Sequence, residues 1–158
     1  MSRNLKIAAA QLGPIHLADT REAAVKRLIA LMREAHGQGA RFIVFPELAL
    51  TTFFPRWWME DQADVDRRFF EAAIPSPVTQ PLFDEGKRLG VGYYIGYGEL
   101  HQEGGSTRRF NTSILVGPDG KVVGKYRKVH LPGHADHKPE AAFQHLEKKY
   151  FEDDHRGG

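Results

Sequence analysis

Two residues offer chemistry by type and position. Glu47 follows the apolar run Phe42-Ile43-Val44-Phe45-Pro46. A carboxylate at the mouth of a buried strand, beside Phe45, Leu48 and Leu50, is partly desolvated. Desolvation raises a carboxyl pKa and makes a better general base near neutrality. The ordinary alternative is a capping or salt-bridging glutamate. Lys128 ends the string Gly124-Lys125-Tyr126-Arg127-Lys128. An ammonium fixed at a strand end can stabilise a developing oxyanion, although one member of a basic surface run is the commoner reading. His130, His134, His137 and His145 form a third group. Imidazoles can bind zinc, but Leu131-Pro132-Gly133 breaks any helix, so the spacing collects no common face. Hydrogen-bonding loop histidines are expected, and no metal. Phe53, Phe54, Trp57 and Trp58 either line a pocket or belong to a core or oligomer contact. Cysteine is absent, which removes disulfides, thiolate zinc sites and a thiol nucleophile from these residues.

The elements that must position these groups follow from periodicity. Residues 6–11 read as a short buried strand. Asp19 reads as an N-cap, with Glu22 completing a capping box. Val25, Leu28, Ile29, Met32, Ala35 and His36 recur at helical spacing until Gly37 and Gly39. Residues 41–46 read as a parallel strand buried on both faces. Pro46 ends it, so Glu47 emerges at the carboxyl edge of the sheet, where α/β proteins bind ligands. Residues 61–73 and 80–89 read as helices, and 91–100, 110–116 and 122–128 as strands. Gly117-Pro118-Asp119-Gly120 signals a hairpin between the last two. Residues 141–150 suit a brief helix. The class is α/β, with helices against a sheet whose later strands are antiparallel.

The 158 residues suffice for one domain with a core. Lys+Arg 22 against Asp+Glu 20 leaves a formal charge of +2, which argues for neither nucleic acid nor an anionic membrane. No run approaches the ~18 apolar residues of a membrane span. Met1-Ser2-Arg3-Asn4-Leu5-Lys6 lacks a signal-peptide layout, so a cytoplasmic location is expected. No glycine-rich phosphate loop is present: Gly90-Val91-Gly92 and Gly96-Tyr97-Gly98 sit in or beside a strand.

The string Phe42-Ile43-Val44-Phe45-Pro46-Glu47-Leu48-Ala49-Leu50 resembles the first signature of the nitrilase superfamily of carbon-nitrogen hydrolases. Gly124-Lys125-Tyr126-Arg127-Lys128-Val129-His130-Leu131 resembles the second. Ala8-Ala9-Ala10-Gln11 and Arg109-Phe110-Asn111-Thr112-Ser113 also fit. Within the superfamily, three strings look like N-carbamoyl-D-amino acid hydrolases: Thr51-Thr52-Phe53-Phe54-Pro55-Arg56-Trp57, Leu131-Pro132-Gly133-His134 and Phe143-Gln144-His145-Leu146-Glu147-Lys148. The resemblance implies part of an α-β-β-α sandwich, assembled into homo-oligomers, over residues 1–151, with 152–158 as a non-matching tail. It implies Glu47 as general base, Lys128 as oxyanion stabiliser and Glu147 as a further site carboxylate, with His130 and His145 shaping the substrate site. The implied substrate is an N-carbamoyl amino acid or related amide, hydrolysed without cofactor to amino acid, carbon dioxide and ammonia. The family's cysteine lies on a later strand, so the chain reads as truncated before it and catalytically incomplete alone. Competing expectations are another amidase, nitrilase or ureidopropionase of the superfamily, a non-catalytic oligomerising fragment, and a histidine metal hydrolase.

Overall fold

The computed structural model describes residues 4–154, so residues 1–3 and residues 155–158 of the segment read as a tail lie outside the described residues. The chain runs β1 (Ile7–Ala9), α1 (Arg21–Gly37), β2 (Phe42–Val44), α2 (Gln62–Phe69), β3 (Phe70–Glu71), α3 (Gln80–Leu89), β4 (Gly92–Glu103), β5 (Ser106–Val116), β6 (Val122–Arg127) and α4 (Glu147–Tyr150). The sheet order is β1-β2-β4-β5-β6, with β3 beside the far end of β4. β1, β2 and β4 are parallel. β4, β5 and β6 form an antiparallel meander. This is the expected α/β class, with parallel pairing first and antiparallel pairing later.

Helices α1 and α3 cover one face of the sheet. Val25, Leu28 and Met32 from α1 and Leu82 and Phe83 from α3 pack on Ile43, Tyr93, Ile95, Ile114 and Val116. Strand periodicity of two sends the alternate residues to the other face. There Val44, Leu115 and Tyr126 are exposed. The sequence reads β1 as buried and β2 as buried on both faces; instead both are covered on one face only, and Ile7 and Val44 are exposed. The reason is that, among the described residues, the helices that pack against the parallel strands lie on a single side.

Local capping signals hold at some helix ends and shift at others. Thr20, not Asp19, caps α1, accepting from the Ala23 N–H, while Asp19 accepts from the His16 N–H one turn earlier. Either side chain can cap, and the backbone path through residues 16–20 decides between them. Asp61 caps α2, which ends at Phe69 rather than at 73 because Phe70 and Glu71 pair with β4, and Gly90, in the left-handed region, ends α3 just after the expected bound at residue 89. The helix expected over 141–150 shrinks to its last turn. β3 was not foreseen, being two residues long and defined only by its pairing with Gly98 and Glu99.

A second core lies under the 51–59 segment. Phe54 is fully buried, stacks on Phe69 at 4.8 Å and meets Phe70, Tyr150 and Phe151 edge-on or tilted. This cluster anchors α4, because the Leu146 N–H donates to the Pro55 carbonyl and the Tyr150 hydroxyl donates to the Trp57 carbonyl. The C-terminal turn that carries Glu147 is thereby fixed against the segment that follows Glu47.

Candidate active site

Glu47 leaves the end of β2 in a turn that lies on β4. The Ala49 N–H donates to the Gly96 carbonyl at 2.9 Å. A Cβ at position 96 would sit 2.9 Å from the Leu48 nitrogen and 3.0 Å from the Glu47 Cα, so only glycine admits the turn at this distance. Leu48 adopts φ 47°, an uncommon conformation for a bulky side chain, and its burial among the second core holds it there.

Lys128 stands one residue beyond β6, and its backbone N–H continues the ladder to the Asn111 carbonyl at 2.8 Å. Its ammonium donates to Glu47 Oε1 and to Glu147 Oε2, each at 2.8 Å. Asn111, from β5, donates through Nδ2 to the same two oxygens, at 2.6 Å and 3.4 Å. His145 Nε2 lies 3.0 Å from the other oxygen of Glu147. Glu147 is 1% exposed, and among the described residues these partners supply the side-chain hydrogen bonds that a buried carboxylate needs.

The electrostatics differ from the sequence expectation. Burial pushes the Glu47 carboxyl up, but hydrogen bonds from Lys128 and Asn111, with the nearby positive charge, outweigh it and set it below the ordinary value. Glu47 is therefore a fully ionised carboxylate at neutrality rather than a desolvated one poised to titrate there. Burial alone would lower Lys128, yet hydrogen bonds to Glu147 and Glu47 and their charges raise it. The ammonium is permanent at physiological pH, as an oxyanion-stabilising group requires.

The structure brings Glu47, Lys128, Glu147 and His145 into one hydrogen-bonded group. It leaves His130 exposed and without a hydrogen bond to that group. His134 donates its backbone N–H to the His145 carbonyl, and His137 stacks on Trp58 at 4.7 Å. The aromatic quartet divides: Phe54 is core, while Phe53 packs edge-on against His145 and Trp57 lines a cavity. Asn111 is the member that sequence reasoning missed as a site residue. Its only signal was its place in a string that resembled the family.

Two cavities meet at Glu47. The larger, about 510 Å³, runs from Glu47 between the 12–17 loop and the 51–57 segment, past Pro14, Phe53, Arg56 and Trp57. The smaller, about 270 Å³, lies over the sheet among Tyr94, Asn111, Ser113, Tyr126 and Lys128. A carboxylate and an ammonium at their junction can transfer a proton and stabilise negative charge on a reacting carbonyl.

This chain is similar to known proteins along most of its length. Omega-amidase NIT2 of Danio rerio is 30% identical over 117 residues, 74% of this chain and 38% of that protein. A nitrilase of Pyrococcus abyssi is 34% identical over 130 residues, 80% of this chain and 44% of that protein. The chain thus spans about two-fifths of the length of these relatives. The solved structure of a carbon-nitrogen hydrolase from Helicobacter pylori G27 superposes with a TM-score of 0.68 over 97% of this chain and 44% of that one, at 17% identity, and so shares the fold. The family model described as carbon-nitrogen hydrolase matches residues 6–158, and the chain belongs to that family, the nitrilase superfamily.

Proposed function

We propose that these residues supply the proton-transfer and charge-stabilising groups of a hydrolase that cleaves the carbamoyl group of N-carbamoyl-D-amino acids. The observation that carries the reading is the 2.8 Å contact of Lys128 Nζ with Glu47 Oε1 at the junction of two cavities. In this reading Glu47 takes the proton from an attacking nucleophile and later returns one to the leaving nitrogen. Lys128 faces the oxyanion of the tetrahedral intermediate, and Glu147 holds Lys128 in place. The covalent step needs a thiolate, which the family resemblance implies and these 158 residues do not contain. The carbamoyl specificity rests on the resemblance of the segments over 51–57, 131–134 and 143–148. His130 and His145 would then border the substrate, and the full-length enzyme would assemble as a homo-oligomer.

A second reading is favoured by the named relatives, which are omega-amidases and nitrilases. Here the same groups serve a simple amide or nitrile. Titrating the labelled chain with N-carbamoyl-D-phenylglycine, an ω-amide and an aliphatic nitrile, while following the Glu47, Lys128 and Trp57 side-chain resonances, separates the two. Selective perturbation by the carbamoyl amino acid is expected; a response to the amide or nitrile alone transfers the assignment to the second reading, and silence toward all three removes both. The chain alone should release no ammonia from N-carbamoyl-D-phenylglycine at an enzymatic rate, since loss of a nucleophile costs several orders of magnitude. Ordinary turnover would overturn the roles given above.

A further inference from the structure

We propose that Asn111 is a positioning residue for proton transfer: together with Lys128 it pins one oxygen of Glu47 and leaves the other free toward the cleft. The proposal rests on the reading of Glu47 as the proton-transfer group.

Asn111 Nδ2 and Lys128 Nζ donate to the same pair of oxygens, Glu47 Oε1 and Glu147 Oε2. Two nitrogens and two oxygens therefore alternate around a closed ring. Each carboxylate contributes one oxygen to the ring and keeps one outside it. The outer oxygen of Glu147 is occupied, by His145 at 3.0 Å. The outer oxygen of Glu47, Oε2, accepts no hydrogen bond among the described residues, and the Glu47 side chain is 49% exposed. Oε2 is the one carboxylate oxygen of the group left for a reacting proton.

The amide suits this task for two physical reasons. It presents two N–H bonds on one nitrogen and has no proton to lose, so it bridges two carboxylates at any pH. A lysine alone is a point charge on a flexible stem and tolerates rotation of both carboxylates around it. Asn111 itself is 5% exposed and sits within the β5 ladder, so its side chain is not free to swing. Its carbonyl also accepts the Lys128 backbone N–H at 2.8 Å, which sets the height of the lysine relative to the two acids. One residue thus fixes the base directly and the ammonium through the main chain.

The test is a pH titration of the isotope-labelled 158-residue chain by NMR, reading the Glu47 carboxyl carbon and the Asn111 side-chain amide. In the unsubstituted chain the Asn111 amide signals should shift with the same midpoint as the Glu47 carboxyl. Asn111→Leu keeps the volume and removes both donors; it should raise the Glu47 midpoint by roughly one pH unit, while the distant Glu85 midpoint stays put. Asn111→Ser, which retains one donor, should fall between. Asn111 amide signals indifferent to the Glu47 titration overturn the proposal, and so does a folded Asn111→Leu chain with an unchanged Glu47 midpoint. If the leucine variant does not fold, the amide signals of the unsubstituted chain decide. No turnover or ligand enters this experiment, so its outcome is separate from that of the ligand panel that tests the hydrolase reading.

Discussion

At the residue scale, the site is a charge problem with one solution. Two carboxylates within reach of each other repel, and Glu147 has almost no access to water. Lys128 between them makes the arrangement tenable. Lys128→Met should therefore destabilise the chain by about 3 kcal/mol, the low end for breaking a buried pair, because the lysine is itself part-exposed. Denaturant unfolding at pH 7 measures this, and a loss below about 0.5 kcal/mol would place Glu147 in a wetter setting than the structure gives it. A second buried acid, Glu99, answers to pH. Burial pushes it up, but Arg127, Lys125 and Thr112 hydrogen-bond it and hold it at about 2, below the ordinary 4.5. The folded state therefore binds this proton less tightly than the unfolded chain. Its contribution is complete above about pH 5 and is lost as pH falls toward 2. Unfolding free energy should decline through that window, and Glu99→Gln should flatten the decline.

At the element scale, function depends on how closely strands and turns approach. The turn carrying Glu47 rests on Gly96 with no room for a methyl group. Gly96→Ala should cost about 2 kcal/mol through overpacking and displace Glu47 from Lys128. The checks are the melting temperature and the Glu47 carboxyl titration, which should move up toward an ordinary value as its donors are lost. A melting temperature within a degree of the unsubstituted chain would show that the turn has slack. Gly133 has a matching constraint, since it lies at φ 78° and a Cβ there would collide with the His145 carbonyl. In the sequence Gly96 stands in a strand, where glycine marks close packing, and Gly133 in a stretch that breaks any helix, but which segment approaches each is invisible without the approaching partner. Helix positions were more legible. The apolar stripe of α1 and the bounds of α3 are local properties, written in spacing and in the glycine that ends each.

At the scale of the whole molecule, the sheet is half covered. Val44, Tyr94, Leu115 and Gly124 lie in one register row on the face away from α1 and α3, and Val44 and Leu115 are each 39% exposed. An apolar dye should bind this face with enhanced fluorescence, and Leu115→Lys with Tyr126→Lys should reduce that signal without lowering the melting temperature. Dye binding unchanged by the two lysines would locate the apolar surface elsewhere.

The sequence by itself determined the kinds and order of the elements other than β3, and the placement of Glu47 and Lys128 at strand tips, since hydrophobic periodicity and turn residues act over a few neighbours. It also carried the family in two short strings. Only the tertiary structure decided which groups meet. Asn111 is 64 positions from Glu47, and Lys128 is 81. Their contact with Glu47 depends on strand register, and their contact with Glu147 on α4 being held by the Phe54 cluster. The direction of the Glu47 shift was decided there too: burial can be guessed from apolar neighbours in the chain, but the cations and amides that overrule it arrive through folding.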